Sequence, residues 1–433
     1  MRILLTGASG FVGQHLLQAL LTEGHHVVCA VRQPEQSDDS SDDPRLSYIH
    51  ADFINDNNKS TWLSRLTGID AVINTVGIFR ESGRQTFARL HKETPRALFA
   101  ACAESHDVQM VIQLSALGAD RDAVTPYHVS KREADDYLAS LPLRSYIIQP
   151  SLIYGRDGTG ARAMRTLASM PFTLRFGNKP QLVQPIHVDD LVAAIIGVFK
   201  HRLPMAPDGG ATMRVPLVGP QAMPFTDYLA TLRRAMAMGR QRVLHLPGPV
   251  ARLAAGFAGL LPGSLLDRDA LKMLDHDNSD DPTLTANLIG HPPRPVAEFI
   301  QDAECERARA KLGWLLPVLR YSIAAVWIIT AIVAVGLFPI ERSLALLAQA
   351  GVPPQLQLPA LYASAGLDLL LGLATLFLAR RRWLWVAQFG LIAAYSVVIA
   401  FRLPEFLIHP FGPLIKNLPM LAAIWLLFHL DDK

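Results

Sequence analysis

The hydrophobic positions follow two different patterns along this chain of 433 residues. Over residues 1–303, short apolar runs alternate with amphipathic stretches, which predicts buried strands that alternate with helices. Over residues 317–433, long apolar runs follow one another with few charges between them, which is typical of helices that cross a bilayer. We therefore predict an α/β domain over 1–303, a linker over 304–316 and a four-helix membrane domain over 317–433.

Five apolar runs in the first domain predict strands, with helices between most of them. The predicted strands cover residues 3–5, 26–31, 46–50, 70–74 and 109–114. The alternation predicts a Rossmann-type, doubly wound parallel sheet, in which ligands bind at the carboxyl ends of the strands. From residue 152 to 303 the pattern breaks into shorter stretches rich in Pro and Gly, which predicts a small substrate subdomain.

A glycine-rich turn joins the first strand to an amphipathic helix. Gly7, Gly10 and Gly13 are spaced three residues apart, and the helix that follows carries leucines on one face. Gly7 allows an unusual turn, Gly10 lets the chain approach a diphosphate, and Gly13 lets the helix pack close to the strand. The turn therefore predicts a dinucleotide site. Its candidate cofactor contacts are Thr6, Gly7, Ser9, Gly10, Phe11, Val12 and Gly13.

The end of the second strand bears on which dinucleotide binds. Arg32 follows this strand with no acid beside it, whereas an acid there would accept a bond from the 2′-hydroxyl of NAD. An arginine accommodates the 2′-phosphate of NADP, so the sequence favours NADP(H) over NAD(H). The alternative is a solvated surface arginine. Asp52, Asn74 and Ser115 lie at the ends of other strands, so we expect them to line the same cleft.

The stretch after the fifth strand carries candidate chemistry. Tyr127 and Lys131 are four residues apart on a predicted helix and therefore share one face. We expect the Lys131 ammonium to lower the pKa of the Tyr127 phenol, and Ser115 to hydrogen-bond the substrate oxygen. Together the three make a proton donor or acceptor beside a hydride carrier. Thr125 lies close enough to compete with Ser115 for its role.

These motifs resemble those of the extended or atypical short-chain dehydrogenases/reductases. The resemblance rests on Thr6-Gly7-x-x-Gly10-x-x-Gly13, Asp52, Ser115, Tyr127-x-x-x-Lys131, Gln149-Pro-Ser-x-x-Tyr-Gly155 and Pro185-Ile-His-Val-Asp-Asp190. The chain is most similar to the group that contains the NAD(P)-binding accessory subunit of respiratory complex I, through Ser115-Ala-Leu-Gly-Ala and Leu271-Lys-Met-Leu-Asp-His-Asp277. The family implies that Tyr127 is the acid/base, Lys131 binds the nicotinamide ribose, and Ser115 orients the substrate. With the strand ends, this gives further candidate cofactor contacts at Arg32, Asp52, Asn74, Val76, Gly77, Tyr127, Lys131 and Pro150.

The chain departs from that family pattern at two places. Gln149 stands where many relatives have arginine, and Thr75-Val76-Gly77 replaces a sequence that is commoner in the family. These departures leave the identity of the substrate undetermined. Four arginines beyond these motifs give either an anion-binding surface or a solvated basic face; they are Arg156, Arg162, Arg165 and Arg175. The apolar, proline-interrupted stretch 244–266 predicts either a core helix or a surface that contacts a membrane or a lipid-like substrate.

Four apolar segments predict membrane-spanning helices, at residues 321–340, 358–379, 383–401 and 414–430. Basic residues cluster before the first segment and between the second and third, so the positive-inside rule places both termini in the cytoplasm. Asp368 lies in the second segment, where a charge must be paired, protonated or functional. The polar phrase from Arg402 to Lys416, with Glu405 and His409, resembles the DoxX-like membrane family, some members of which are linked to quinone or thiol redox chemistry. Its polar groups either form a site or only tie the helices together.

Composition and charge narrow the functional classes. The net charge of +3 gives no nucleic-acid footprint, and three scattered cysteines predict neither a disulfide framework nor a metal site. The first strand begins almost at Met1, so we expect no cleavable signal peptide and a cytoplasmic N-terminal domain at the inner membrane. The predicted partners are a lipid-soluble small-molecule substrate, the lipid bilayer, and either a second copy of the chain or a membrane redox partner.

The leading hypothesis is a membrane-anchored NAD(P)-dependent oxidoreductase that transfers a hydride to or from a carbonyl or hydroxyl carbon. The fusion of a cofactor domain to a membrane domain favours an apolar or quinone-related substrate. The alternatives are a nucleotide-sugar epimerase or dehydratase, a non-catalytic NADP(H)-binding assembly or sensor protein, and a nucleotide-regulated membrane module.

Overall fold

The structure of the protein is a computed structural model. It describes residues 1–34, 43–176, 181–201, 203, 211–246, 278–378, 381–408, 410, 412 and 414–431. The chain divides into two compact units, Met1–Ala310 and Lys311–Lys433. The phrase at 271–277, most of the apolar stretch 244–266, and His409 lie outside the described residues.

The described residues of the first unit form one large sheet and three small ones. Its strands, in chain order, are β1 Arg2–Thr6, β2 His26–Val31, β3 Leu46–His50, β4 Ala71–Asn74, β5 Met110–Leu114, β6 Ser145–Pro150, β7 Ile153–Tyr154, β8 Phe172–Phe176, β9 Leu182–Val183, β10 Ile186–His187, β11 Thr212–Leu217, β12 Met223–Pro224 and β13 Arg242–Leu246. The large sheet has seven parallel strands in the order β11-β6-β5-β4-β1-β2-β3. The chain runs outward from β1 in both directions, which confirms the predicted doubly wound fold.

Helices connect these strands and make up the second unit. In chain order they are α1 Phe11–Thr22, α2 Lys59–Leu63, α3 Thr94–Glu104, α4 Pro126–Ala139, α5 Thr159–Ser169, α6 Val188–His201, α7 Phe225–Ala235, α8 Thr283–Ile289, α9 Ala303–Ile332, α10 Ile340–Gln349, α11 Pro354–Phe377, α12 Arg382–Arg402 and α13 Asn417–Leu430. The π-helices are Ala88–Glu93 and Val333–Leu337, and the 3-10 helices are Val296–Glu298 and Pro404–Phe406.

Apolar layers on both faces bury the large sheet. Successive residues of β1 point to opposite faces, so Ile3 and Leu5 join one layer and Leu4 joins the other. Leu16 of α1 packs in the first layer and Leu98 of α3 in the second. Because helices cover both faces, the loops at the carboxyl ends of the strands are where a ligand can reach the sheet.

A smaller apolar cluster lies outside the two layers of the sheet, in the region predicted as the substrate subdomain. Tyr154 stacks on Phe299 with ring centroids 4.8 Å apart, and Tyr228 and Leu232 of α7 belong to the same cluster. This region therefore packs around a core of its own within the first unit.

Among the described residues, three helices are long and apolar enough to cross a membrane: Ala303–Leu337, Pro354–Phe377 and Arg382–Arg402. A shorter apolar helix, Asn417–Leu430, corresponds to the fourth predicted segment. The structure adds α10 between the first two, which the sequence pattern does not predict. The stretch 304–316, predicted as a linker, is helical and lies within α9.

Hydrogen-bonded polar side chains lie between helices of the second unit. The Trp327 indole N–H donates to Gln388 Oε1 (2.9 Å), and the Gln388 amide donates to Thr375 Oγ1 (2.7 Å). Gln388 and Thr375 are fully buried, so these bonds satisfy groups that have no water nearby. Asp368 is also buried, two helical turns before Thr375, and its Oδ1 has no hydrogen-bond partner within the described residues.

We expect Gln388→Leu to destabilise the detergent-solubilised chain, because it leaves the Trp327 N–H without its acceptor. A double-mutant cycle with Trp327→Phe isolates this bond, with an expected coupling of about 0.5–1.5 kcal/mol in thermal unfolding. A coupling near zero would contradict the bond.

Candidate active site

The glycine turn is packed too tightly for side chains. Gly7 has a φ of +78°, and a Cβ built on it would lie 2.6 Å from Thr75 Oγ1. A Cβ on Gly13 would lie 2.0 Å from the Gly7 carbonyl oxygen, so α1 packs directly on the turn. The Gly10 N–H donates to the same carbonyl (2.9 Å), and Gly10 caps α1 without a side-chain bond. The first amides of α1 are therefore not used by a side-chain cap, which suits an anionic diphosphate.

The other residues of the turn shape its surroundings. Ser9 is exposed, whereas Val12 is buried in the apolar layer beneath the turn. The Phe11 ring packs edge-on against His15, with centroids 5.5 Å apart. Phe11 also occupies the space next to Gly155, where a Cβ would come within 2.5 Å of the ring. The structure thus brings the predicted motif at Gly155 against the glycine turn.

Thr6 and Asn74, two of the predicted cofactor contacts, bond to each other. Thr6 Oγ1 donates to Asn74 Oδ1 (2.6 Å), and the Asn74 amide donates to Gln113 Oε1 (2.7 Å). The Val76 N–H donates to Asn74 Oδ1 as well (3.2 Å). The three polar side chains are buried, so they fix the strand ends and leave the backbone of the following loop to face a ligand.

Arg32 and Asp52 lie just beyond the ends of the neighbouring strands β2 and β3. Asp52 accepts bonds from the Ile54 N–H (3.0 Å) and the Asn55 amide (2.5 Å), so its carboxylate closes a local turn. Arg32 is exposed and makes no hydrogen bond or ion pair with the described residues. Of these two groups, the Arg32 guanidinium is the one available to a ligand phosphate.

Helix α4 carries Tyr127, Lys131 and Asp135 at successive turns of one face. Lys131 is buried, and its ammonium donates to the carbonyl of Leu114 (2.9 Å) and to that of Val76 (3.4 Å). These bonds hold the lysine at the ends of β4 and β5, where a ligand of the sheet would lie.

Ser115, the predicted substrate-orienting residue, donates its hydroxyl to the carboxylate of Asp135. Both residues are buried. Burial raises the pKa of Asp135 and lowers that of Lys131, and the opposite charges of the two groups partly offset these shifts. The motifs in the sequence do not indicate Asp135 as a site residue. The one feature that could have indicated it is its spacing, four residues after Lys131 and therefore on the same helical face.

The expected lowering of the Tyr127 pKa is wrong for this structure. Burial raises the pKa of the Tyr127 phenol, and the charge of Asp135 raises it further. The Lys131 ammonium bonds to main-chain carbonyls instead, and no hydrogen bond joins it to the phenol in the described part of the chain. The Tyr127 ring stacks on Phe79, with centroids 5.3 Å apart. The phenol is therefore held neutral, as a proton donor.

His91 is a buried histidine beside the site that the sequence patterns do not indicate. The Ile78 N–H donates to His91 Nε2 (3.0 Å), so the ring proton is on Nδ1, which lies 3.0 Å from Ser130 Oγ. Ser130 donates to the Tyr127 carbonyl (2.8 Å). Burial, reinforced by the charge of Lys131, lowers the pKa of His91 to about 2. The neutral ring thus ties the loop after β4 to α4.

This neutral state predicts a loss of stability in acid. An unfolded histidine binds a proton below its ordinary pKa of 6.5, whereas folded His91 does so only near pH 2. The penalty is absent above the ordinary pKa and grows by about 1.4 kcal/mol per pH unit below it. We expect His91→Gln to remove this slope from urea unfolding of the solubilised chain, and the exposed control His106→Gln to keep it. Equal acid slopes in the two variants would contradict the assignment.

Thr125 is a helix cap. Its Oγ1 accepts the His128 N–H (3.3 Å) at the first turn of α4, and it lies 2.9 Å from His128 Nδ1. The hydroxyl is thus used at the end of the helix, as the Ser115 hydroxyl is used on Asp135, so both candidates for the substrate oxygen have partners within the chain.

The Ser115 loop packs on the end of β6. The Leu117 N–H donates to the Pro150 carbonyl (2.9 Å), and the Gln149 amide donates to the Ala119 carbonyl (3.4 Å). Pro150 and Gln149 are therefore brought beside the loop that carries Ser115, whereas the predicted contact Gly77 lies on the opposite side of Lys131, at the end of β4.

Two of the four arginines suggested for anion binding share one carboxylate within the first unit. Arg165 is buried, and its Nε lies 2.9 Å from Glu306 Oε2. Arg156 reaches the other oxygen of Glu306 (3.1 Å). Arg162 is exposed and Arg175 is half-buried, and within the described residues neither forms an ion pair. Glu306 therefore offsets one of the two positive charges of Arg156 and Arg165.

Comparison with protein families agrees with this geometry. Residues 7–173 match the NAD(P)H-binding family, and residues 324–425 match the DoxX-like family. The chain therefore combines an NAD(P)-binding Rossmann domain, with an oxidoreductase- or epimerase-like fold, and a C-terminal DoxX-like membrane domain.

Three known relatives sharpen this assignment. The chain is 26% identical over 196 residues to a ceramide reductase of Caulobacter vibrioides. This match covers 45% of this chain and 59% of that protein. It is 24% identical to an epimerase family protein of Staphylococcus haemolyticus, over 59% of this chain and 86% of that protein. It is 24% identical to the mitochondrial NADH dehydrogenase (ubiquinone) 1 alpha subcomplex subunit 9 of Arabidopsis thaliana, over 58% of this chain and 61% of that protein. The predicted similarity to the complex I group is confirmed, although the chain spans less than two thirds of the first and third of these relatives.

Solved structures share the fold. A UDP-glucuronic acid 4-epimerase of Bacillus cereus superposes with a TM-score of 0.51 at 18% identity, over 72% of this chain and 99% of that one. A nucleoside-diphosphate-sugar epimerase of Staphylococcus aureus gives 0.53 at 18% identity, over 70% of this chain and 100% of that one. Identities this low leave the substrate to be argued from the site itself.

Proposed function

We propose that this protein is a membrane-anchored oxidoreductase that uses NADP(H) to interconvert a ketone and an alcohol in an apolar substrate. The observation that carries the proposal is the placement of Tyr127 and buried Lys131 on one face of α4, at the end of a sheet that also bears the glycine turn. Redox chemistry at a carbonyl needs a hydride carrier and a proton donor close together, and this end of the sheet supports both.

The residues of the chain fit a dinucleotide. The tight packing of Gly7 and Gly13 and the first turn of α1 suit its diphosphate. A Cβ on Gly77 would lie 3.2 Å from Lys131 Nζ, so a bare backbone passes beside the lysine that would bind the nicotinamide ribose. When bound, the reduced nicotinamide supplies the hydride.

Three side chains carry out the proton transfer and position the substrate oxygen. In the reduction direction, Tyr127 donates its hydroxyl proton to the carbonyl oxygen, and the Lys131 ammonium stabilises the phenolate that results. Water then returns a proton to Tyr127. Ser115 hydrogen-bonds the reacting oxygen and positions it. The raised pKa of Tyr127 favours the neutral donor form that reduction requires.

Arg32 carries the proposed preference for NADP(H). We expect Arg32→Ala to weaken NADPH binding by about 10–100-fold, as loss of a charged hydrogen bond does, and to change NADH binding by less than about twofold. The exposed Arg240→Ala is the matched control. Fluorescence titration measures the affinities of the native full chain and of the two variants for both cofactors. Equal losses of affinity for NADPH and NADH in Arg32→Ala would contradict the proposed role of Arg32.

Three observations support an apolar substrate. The DoxX-like domain and its apolar helices indicate a bilayer location, which gives access to lipid-soluble molecules. Arg165 is buried and shares Glu306 with Arg156, so two of the cations that a nucleotide-sugar diphosphate would use already contact a carboxylate. The relative named ceramide reductase makes a ketone-bearing ceramide the first compound to test. We further propose that the first unit and the C-terminus lie on the cytoplasmic side of the inner membrane.

The direct test is turnover by the full chain in lipid nanodiscs. We expect NADPH to be consumed with a ketone-bearing ceramide, and no epimerisation of UDP-glucuronic acid. Epimerisation without net NADPH consumption would establish the epimerase alternative instead, which the match over most of an epimerase family protein supports.

A non-catalytic assembly or sensor role is the other alternative, and the similarity to a complex I subunit supports it. Tight NADPH binding with no turnover, and full complementation in cells by Tyr127→Phe, would favour that role. A homo-oligomer or a membrane redox partner fits either reading, and cross-linking of the full chain in membranes tests for both.

A further inference from the structure

Asp135 is a fully buried carboxylate at the centre of the candidate site. It lies one helical turn after Lys131 and two turns after Tyr127 on α4. Its Oδ2 accepts the hydroxyl proton of Ser115, and its Oδ1 has no hydrogen-bond partner within the described residues. A buried carboxylate with one oxygen unpaired is costly to keep ionised, so its protonation state is finely balanced.

Charged and titratable groups face Asp135 from two elements. On α4 these are Tyr127, Lys131 and Asp136, and on β11 it is Arg214, whose Nη1 lies 3.8 Å from Oδ2. Arg214 is shared, because its Nη2 bonds to Asp136 (2.6 Å). The ammonium of Lys131 donates to main-chain carbonyls rather than to the carboxylate. Burial raises the pKa of Asp135, while the Ser115 bond and the two cations oppose that rise.

The protonation of Asp135 decides what Ser115 offers to a substrate. A hydroxyl has one proton and two lone pairs. When Asp135 is ionised, that proton is used on the carboxylate, so Ser115 presents only lone pairs and accepts a bond from an alcohol. When Asp135 is protonated, it donates to Ser115 Oγ, and the serine proton becomes free to bond a carbonyl oxygen.

We propose that Asp135 is a positioning residue that sets the hydrogen-bond polarity of Ser115, and that only its protonated form leaves the serine free to donate to the reacting oxygen, in both directions of the reaction. This inference rests on the proposed redox function. The proton that ends on the product oxygen comes from Tyr127, so Asp135 keeps its own proton through the reaction and does not enter the stoichiometry.

Asp135→Asn tests the inference in the full chain in nanodiscs. Asparagine keeps the size, cannot ionise, and its amide N–H can donate to Ser115, which fixes the serine as a donor. In the native chain we expect kcat/KM for ketone reduction with NADPH to fall tenfold per pH unit on the alkaline side of the Asp135 titration. In Asp135→Asn that decline should disappear, so that ketone reduction at alkaline pH should exceed that of the native chain by about tenfold or more. An unchanged alkaline decline in the variant would overturn the inference.

Two further variants separate this role from a structural one. Asp136→Asn removes a neighbouring acid that also pairs with Arg214 but does not contact Ser115, so the alkaline decline should remain and should move to lower pH. Asp135→Glu keeps an acid, so it should move the decline along the pH axis rather than remove it. A flat profile in Asp136→Asn, or in Asp135→Glu, would overturn the assignment to Asp135.

An infrared measurement needs no substrate and therefore separates this inference from the proposed function. pH-induced difference spectra of the full chain should contain a carboxylic-acid band that Asp135→Asn removes and that Ser115→Ala shifts, because the serine bonds to that group. Absence of such a band would overturn the inference. A band that behaves in this way, with no ketone or alcohol turned over by the native chain, would overturn the proposed function alone.

Discussion

Gly13→Val should abolish the binding of both NADPH and NADH to the full chain. Even the first carbon of a side chain at this position would lie 2.0 Å from the Gly7 carbonyl oxygen and 2.8 Å from its carbon. Helix α1 must then move away from the turn, and its first amides no longer meet the diphosphate. We expect Kd to rise at least about 100-fold, or about 2.7 kcal/mol, in fluorescence titrations.

Gly160→Ala is the matched control for this prediction. Gly160 lies in α5, and a Cβ built on it meets nothing within 4 Å, so the substitution should leave both Kd values unchanged. Circular dichroism of the two variants checks that each remains folded. Native-like binding by a folded Gly13→Val protein would mean that the turn does not hold the cofactor.

Tyr127→Phe should remove turnover while leaving cofactor binding intact. Phenylalanine keeps the ring that stacks on Phe79, but it has no proton to give to the carbonyl oxygen. We expect kcat/KM for ketone reduction to fall by about 10²–10⁴, the usual contribution of a general acid, and Kd for NADPH to change by less than about twofold.

Tyr137→Phe on the same helix is the control, because the Tyr137 ring packs against the Arg96 guanidinium away from the site. It should retain full activity and full binding. Residual reduction above one tenth of the native rate in Tyr127→Phe would assign the proton to another group.

The sheet and the turn could be predicted because both leave a local pattern. A strand covered on both faces needs an unbroken apolar run, and β2 has the bounds that its apolar run indicates. The glycine spacing is equally local, since Gly7 and Gly13 must lack side chains whatever lies elsewhere in the chain.

Contacts between distant residues could not be predicted in the same way. Arg156 and Glu306 are 150 positions apart, and His91 and Ser130 are 39 apart. Their pairing follows from the folded geometry, so the sequence suggests either an anion-binding surface or a solvated basic face at the four arginines but does not show that two of them share Glu306. Asp135 was missed for the same reason, because Ser115 reaches it only after β5 and α4 have packed together.

The pKa of Tyr127 depends on the burial of its phenol, which the sequence does not reveal. The spacing indicates that Lys131 and Tyr127 share one helical face, so a positive charge is expected near the phenol. It does not show how deeply the phenol is buried. Burial of the phenol raises its pKa and the charge of Asp135 raises it further, while the Lys131 ammonium bonds to main-chain carbonyls instead.

Residues 304–316, predicted as a linker, form part of a helix. The stretch is rich in Ala, Glu, Arg and Lys, which are strong helix formers, and it continues directly into the first apolar segment. The structure accordingly has one helix, Ala303–Ile332, and the division between the two compact units, after Ala310, lies within the predicted linker.

Deuterium transfer tests the central claim most directly. The full chain in nanodiscs is given NADPH that carries deuterium at C4 of the nicotinamide, together with a ketone-bearing ceramide, and the lipid product is analysed by mass spectrometry. The account predicts an alcohol that carries one deuterium at the former carbonyl carbon, formed in equal amount with NADP+. Tightly bound NADPH that is never oxidised by this or any other ketone supplied, or a product formed without deuterium and without NADP+, would contradict it.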